Sequence, residues 1–151
     1  GFDAIILACF DDTGLAEARR LSGVPTIGIG EAAFHVAMLL GAKFSVVTTL
    51  AISVPVIEEN LRDYGLESAC LKVRASEVEV LDLEIDGSSA RDKISNEMAC
   101  SLREEQPGAL VLGCAGMADL ASQLSQTHNV PVIDGVASAV GLASGLVRLG
   151  R

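Results

Sequence analysis

The chain has 151 residues, of which 50% are hydrophobic and 21% are charged, so it can bury a core and is not expected to be disordered. Its 11 Lys and Arg residues against 20 Asp and Glu residues give a net charge of -9, which argues against binding to nucleic acid. The longest stretches without Asp, Glu, Lys or Arg have 14 residues, which is too short for a transmembrane helix.

The chain begins with an apolar run that is preceded by neither an initiator Met nor a basic leader, so we expect no signal peptide. We also expect that the chain starts inside a larger protein. The four cysteines are too few and too scattered for a disulfide scaffold, which favours a reduced, cytoplasmic setting.

Short apolar runs alternate with helical patterns along the whole chain. The predicted strands are Asp3–Ala8, Val24–Ile29, Phe44–Thr49, Ser68–Val73, Ala109–Gly113 and Val130–Ile133. The predicted helices are Thr13–Leu21 (with Asp12 or Thr13 as its N-cap), Glu31–Leu40 (closed by Gly41), Ser53–Tyr64, Asp92–Glu105, Met117–Gln126 and Val136–Leu149. This alternation predicts an α/β fold with parallel sheets covered by helices.

An internal repeat is visible in the sequence. Residues 4–9 (Ala-Ile-Ile-Leu-Ala-Cys) match residues 109–114 (Ala-Leu-Val-Leu-Gly-Cys). Each copy is followed by a loop, a helix and a Val-Pro strand, which begins 15 residues after Cys9 and 16 residues after Cys114. We therefore predict two pseudo-symmetric parallel-sheet lobes, one formed approximately by residues 1–29 with 135–151 and the other by residues 30–134.

Each repeat ends its first strand with a cysteine, at the edge where parallel sheets bind ligands. A single cysteine there is more often a packing residue, but the match in both repeats favours a function for Cys9 and Cys114. An ordinary thiol has a pKa of about 8.5, so modest tuning makes one cysteine a base while the other stays an acid. Two such groups facing each other could remove a proton from one face of a carbon and return one to the other face, without a metal or cofactor. Cys70 and Cys100 lack repeat partners and are predicted to be packing residues.

The segments around the two cysteines, Ala8-Cys9-Phe10-Asp11-Asp12-Thr13-Gly14-Leu15 and Leu112-Gly113-Cys114-Ala115-Gly116-Met117-Ala118, resemble the active-site segments of the Asp/Glu/hydantoin racemase family. The similarity covers nearly the whole chain and is closest to the hydantoin and allantoin racemase branch. It implies that Cys9 and Cys114 are the acid/base pair. It also implies a substrate pocket lined by Phe10, Asp11, Gly30, Glu31, Thr48, Thr49, Gly113, Ala115 and Gly116.

Within that family, racemases of free aspartate and glutamate usually carry Thr or Asn after the cysteines, and this chain has Phe10 and Ala115. The difference favours a less charged ring substrate, such as a 5-substituted hydantoin or allantoin. Related arylmalonate decarboxylases keep only the second cysteine, so the presence of Cys9 weakens that assignment. Family members normally begin with a further strand–helix unit that is not apparent here, and we expect this N-terminal unit to be missing from the chain.

Two alternatives remain open. Gly28-Ile29-Gly30-Glu31-Ala32-Ala33 fits a loose dinucleotide fingerprint and would make the chain a nucleotide-binding oxidoreductase domain, although the next strand ends in Thr48-Thr49 instead of an acid. The other alternative is a catalytically inactive ligand-binding relative. We expect capping and loop solvation from the Asp11–Asp12 pair, and a solvated face from the acidic stretch 77–86. The expected partners are a small-molecule substrate and further copies of the chain, with no nucleic acid, membrane, cofactor or metal.

Overall fold

A computed structural model describes residues 1–150. The strands in this range are β1 (Ile5–Leu7), β2 (Thr26–Gly28), β3 (Phe44–Thr48), β4 (Cys70–Ala75), β5 (Ala109–Leu112) and β6 (Val132–Asp134). The α-helices are α1 (Leu15–Ser22), α2 (Ile29–Gly41), α3 (Val54–Asp63), α4 (Ala90–Glu104), α5 (Ala121–His128) and α6 (Gly135–Arg148). Short 3-10 helices cover Ala51–Ser53, Glu67–Ala69, Val80–Glu84 and Ala115–Leu120. Within residues 1–150, no helix combines the length and the apolar character needed to cross a bilayer.

The strands form two parallel sheets, which confirms the α/β prediction. Strands β1 and β2 pair with each other, and the other four strands pair in the order β4-β3-β5-β6. Helices α2 and α6 pack against each other, and both also contact β2 of the small sheet and β6 of the large one. The core is therefore continuous between the two sheets.

Alternating side chains of the larger sheet point to opposite faces. On one face, Phe44 and Val46 of β3 and Val111 of β5 belong to a core cluster with α2 and α3. On the other face, Val47 of β3 and Leu112 of β5 pack with apolar residues of α4 and α5. A strand that is buried on both faces must be apolar at nearly every position, which explains the continuous apolar runs in β3 and β5.

The internal repeat is preserved in the pairing of the strands. Ile5 pairs with Thr26 and Leu7 with Gly28 in the small sheet, while Leu110 pairs with Val132 and Leu112 with Asp134 in the large one. Each pair occupies the same repeat position as its counterpart, and each second strand leads directly into a long helix, α2 or α6. The two copies therefore fold alike as well as matching in sequence.

Some predicted boundaries are wrong, with identifiable causes. The N-cap of α1 is Gly14, at φ 80°, and neither Asp12 nor Thr13 caps that helix. Helix α2 begins at Ile29, two residues earlier than predicted, because the Asp12 carboxylate caps it from outside. The helix predicted from Met117 starts as the 3-10 helix Ala115–Leu120 and becomes α-helical only at Ala121.

A nearly buried arginine ties β4 to the end of α4. Arg74 is 8% exposed; its Nε donates to Glu105 Oε2 at 2.9 Å and its Nη1 to Glu97 Oε1 at 2.7 Å. It also pairs with Glu104. The hydrogen bond from Arg74 lowers the pKa of the Glu105 carboxyl, so the pair remains ionised near neutral pH. This cluster joins β4 to the carboxyl end of α4.

Candidate active site

The two cysteines occupy equivalent positions in the fold. Strand β1 ends at Leu7 and β5 ends at Leu112, and each strand is followed by a cysteine two residues later. Cys9 lies in an exposed turn, while Cys114 is half-buried and caps the 3-10 helix Ala115–Leu120 with extended backbone. Both therefore lie beyond the carboxyl ends of parallel strands, where such sheets bind their ligands.

Charged groups around Cys114 show which residues share its surroundings. Burial raises the pKa of the Cys114 thiol, and negative charge on Cys9 and on Asp11 raises that pKa further. A hydrogen bond from the Gly116 backbone N–H lowers it. Cys9, Asp11 and Cys114 are thus close enough to interact electrostatically, although their strands belong to different sheets.

Gly113 holds Cys114 in position through a close approach to β3. Its N–H donates to the Val47 carbonyl at 2.8 Å, and the Thr48 hydroxyl donates to the Gly113 carbonyl at 3.0 Å. A Cβ on Gly113 would lie 2.8 Å from the Cβ of Thr48 and 2.9 Å from its Cα, so a side chain there would push the strands apart. Thr48 is 1% exposed. Its hydroxyl is used to position the turn before Cys114.

The loop that carries Cys9 is fixed by a carboxylate that serves as a helix cap. Asp12 is 5% exposed and adopts φ 51°. It accepts hydrogen bonds from the backbone N–H groups of Gly30 at 3.1 Å and Glu31 at 2.7 Å, in the first turn of α2. Burial raises the pKa of the Asp12 carboxyl, and its hydrogen bonds oppose that shift. Asp12 therefore links the Cys9 loop to a helix that begins 17 residues later.

This cap overturns the dinucleotide alternative. A Cβ on Gly28 would lie 2.1 Å from Asp12 Oδ1, and one on Gly30 would lie 2.4 Å from the Phe10 carbonyl oxygen. The glycines are thus explained by close packing against the chain's own Asp12 loop. Since the Asp12 carboxylate already accepts from the N–H groups at the start of α2, a dinucleotide pyrophosphate cannot bind them.

Helix α3 and its C-cap residue supply two anchors for the same loop that sequence reasoning missed. The Asn60 side-chain amide donates to the Asp11 carbonyl at 2.7 Å, and the Tyr64 hydroxyl donates to Asp12 Oδ2 at 2.8 Å. The two residues are four positions apart and therefore lie on one face of the helix. The four-residue spacing of Asn60 and Tyr64 is visible in the sequence. Their partners become known only from the fold, which places α3 against the loop.

Several predicted substrate contacts have side chains engaged elsewhere. Phe10 is 4% exposed and packs edge-on against Phe34, with ring centroids 5.5 Å apart. Glu31 pairs with Arg19 at 2.6 Å. Thr49 is 6% exposed. Gly116, by contrast, is exposed beside the Cys114 thiol. The structure therefore groups Asp11, Gly116 and the two cysteines, while Phe10 supports their loop from the core.

Other candidate chemistry is not assembled in the described part of the chain. No group of three or more His, Cys, Asp or Glu side chains in residues 1–150 is arranged to hold a metal ion. The acidic stretch that was predicted to be solvated contains the 3-10 helix Val80–Glu84, which packs against the segment after Cys114. Its acidic side chains lie mostly at the surface, but its apolar ones approach the site.

Comparison with known proteins agrees with the fold. A family model described as Asp/Glu/Hydantoin racemase matches residues 1–143. A hydantoin racemase from Rhizobium meliloti is 47% identical over 150 residues, which cover 99% of this chain and 62% of the relative. The chain thus spans about three-fifths of the length of such curated relatives.

Solved structures give the same result. An allantoin racemase from Pseudomonas fluorescens matches with a TM-score of 0.96 and 45% identity, over 99% of this chain and 64% of that one. An allantoin racemase from Klebsiella pneumoniae matches with a TM-score of 0.94 and 44% identity, over 99% of this chain and 61% of that one. The sequence match and the shared fold together show that the chain belongs to the Asp/Glu/hydantoin racemase family.

Proposed function

We propose that the protein racemises 5-substituted hydantoins or allantoin without a cofactor, using Cys9 and Cys114 as a two-base pair. The observation that carries the proposal is the position of the two thiols. They follow equivalent strands of a repeated unit, and a charge on one raises the pKa of the other. The hydantoin and allantoin racemases among the relatives support the choice of substrate class.

In this mechanism one cysteine acts as a thiolate and removes the proton from C5 of the ring. The electron pair of that C–H bond delocalises onto the adjacent carbonyl oxygen as an enolate, which neighbouring backbone N–H groups stabilise. The opposite thiol then gives its proton to the other face of C5, and the configuration inverts. After one turnover the two cysteines have exchanged protonation states, so the reverse reaction begins from the other side.

Burial of the Cys70 thiol argues against a role for it as a base. Desolvation raises the pKa of the Cys70 thiol to about 12, so Cys70 is protonated near neutral pH and cannot serve as a base. All four cysteines are free, which supports a reducing, cytoplasmic compartment as part of the proposal. We also propose two lobes, residues 1–29 with 135–151 and residues 30–134, and a homo-oligomer as the working form.

The proposal is tested by following the optical rotation of an enantiomerically pure 5-alkylhydantoin without added cofactor. The unsubstituted protein should racemise it, whereas Cys9→Ser and Cys114→Ser should each lose about 10²–10⁴-fold in rate. Cys70→Ser and Cys100→Ser serve as matched controls and should keep full activity. If binding of the substrate occurs without any racemisation, the protein is an inactive ligand-binding relative and the proposal is wrong.

A further inference from the structure

The segment after β4 brings apolar side chains to the Cys114 thiol. The three heavy atoms nearest to a Cβ placed on Gly116 would be Leu83 Cδ1 at 3.2 Å, Val80 Cγ1 at 3.6 Å and Cys114 Sγ at 3.8 Å. Val80, Leu83 and the thiol therefore surround the same open face of Gly116. We call Val80 and Leu83 the apolar wall.

The segment that carries the apolar wall is joined to the rest of the fold by two hydrogen bonds. The Val78 N–H donates to the Thr49 carbonyl at 3.3 Å, which joins the segment to the end of β3. The Ser88 hydroxyl donates to the Asp82 carbonyl at 2.6 Å and closes the segment before α4. Val80 is 45% exposed even though it is apolar, so its side chain is available to a ligand.

The charged side chains of the wall segment itself all have one sign. Between positions 77 and 86 the segment carries Glu77, Glu79, Asp82, Glu84 and Asp86. Asp11 adds a further negative charge on the Cys9 side of the site, and its effect reaches Cys114. An anionic substituent entering this space would be repelled, and a polar one would have to give up water against Val80 and Leu83.

Stereochemistry directs the substituent towards such a wall. If the two thiols take opposite faces of C5, the ring and the C5 substituent must both lie in the layer between them. We propose that the apolar wall receives the C5 substituent and makes the protein selective for uncharged hydantoins with aliphatic or aromatic side chains over the polar ureido group of allantoin. This inference rests on the proposed racemase function and adds the substituent class and the residues that select it.

The test compares kcat/KM for 5-isobutylhydantoin with that for allantoin in the same preparations. The unsubstituted protein should prefer 5-isobutylhydantoin and should turn over the carboxymethyl analogue, whose side chain is anionic, most slowly. Leu83→Ala removes three carbon atoms from a wall that is partly open to solvent. The ratio of kcat/KM for 5-isobutylhydantoin to kcat/KM for allantoin should therefore fall about tenfold. Val80→Ala should change the ratio in the same direction.

Leu81→Ala is the matched control, because Leu81 is 74% exposed in the same 3-10 helix and supplies none of the three atoms nearest to the Gly116 Cβ position. It should leave the ratio unchanged. Circular dichroism verifies the fold of each variant, and the more exposed Val80 provides a variant with little structural cost. A ratio that is unchanged in both Leu83→Ala and Val80→Ala overturns the inference but leaves the racemase proposal standing. Failure of the unsubstituted protein to racemise any of the three substrates overturns both.

Discussion

Removal of the Asp12 carboxylate should reveal how strongly the Cys9 loop depends on its cap. In Asp12→Ala the first-turn N–H groups of Gly30 and Glu31 lose their acceptor, and the Tyr64 hydroxyl loses its partner. Loss of a helix cap costs about 1 kcal/mol, and loss of a hydrogen bond to a charged group costs about 1.5 kcal/mol. The free energy of unfolding should therefore fall by about 2–3 kcal/mol, which lowers Tm by roughly 5–10 °C in a chain of this size.

The second repeat shows how the cap can be rebuilt. Asp134 is the N-cap of α6 and accepts from Val136 N–H at 2.7 Å. The equivalent position in the first repeat is Gly28, whose backbone has nearly the same shape, with φ -86° and ψ 143° against φ -98° and ψ 137°. Gly28 lacks a side chain because the Asp12 carboxylate fills the space that its Cβ would occupy.

A double-mutant cycle in urea, followed by circular dichroism, tests this exchange. Gly28→Asp alone should destabilise the protein at least as much as Asp12→Ala, because its Cβ would lie 2.1 Å from Asp12 Oδ1. In the double variant the space is vacant and the new Asp can cap α2 from its own N-cap position. The free energy of unfolding of the double variant should return to within about 1 kcal/mol of that of the unsubstituted protein. The two substitutions would then show a large favourable coupling energy. Additive losses in the double variant would refute this explanation of Gly28.

Two further predictions concern the thiol and the packing of helix α6. Asp11→Asn removes a negative charge that raises the pKa of the Cys114 thiol. The pH profile for alkylation of Cys114, measured by peptide mass spectrometry, should therefore move to lower pH. An unchanged profile would count against the proximity of Asp11 and Cys114. Gly135→Ala should lower Tm, because its Cβ would lie 2.5 Å from the Ile29 carbonyl oxygen. Gly141→Ala, in the same helix with open space around it, should raise the free energy of unfolding by up to about 1 kcal/mol. Equal effects of the two substitutions on stability would contradict the close packing of Gly135 against Ile29.

Local patterns were sufficient for the parts of the fold that depend on local chemistry. The β-branched and apolar runs predicted β3 and β5. The match between residues 4–9 and 109–114 predicted two related parallel-sheet units, and in the structure the two units pair their strands in the same register. The repeat also contained an unused signal. Asp134 aligns with Gly28, so the first unit lacks its own cap and had to obtain one from elsewhere in the chain.

The remaining features depend on contacts between distant segments. Asp12 was predicted to cap α1 because sequence reasoning assigns a capping residue to the next helix, whereas its left-handed backbone turns it towards α2. Phe10 was predicted to touch substrate because it follows Cys9, yet its ring faces the core. The apolar wall lies more than 30 residues before Cys114, in a stretch whose acidic residues indicated only a solvated surface.

The central claim is that two cysteines act on opposite faces of one carbon, and hydrogen exchange in deuterated water tests it most directly. Each enantiomer of 5-isobutylhydantoin is incubated with Cys9→Ser and with Cys114→Ser, and both deuterium at C5 and configuration are measured against a buffer blank. Each variant should exchange one enantiomer without inverting it and leave the other untouched, with opposite preferences for the two variants. Exchange of the same enantiomer by both variants, or racemisation by either at nearly the rate of the unsubstituted protein, would contradict the account.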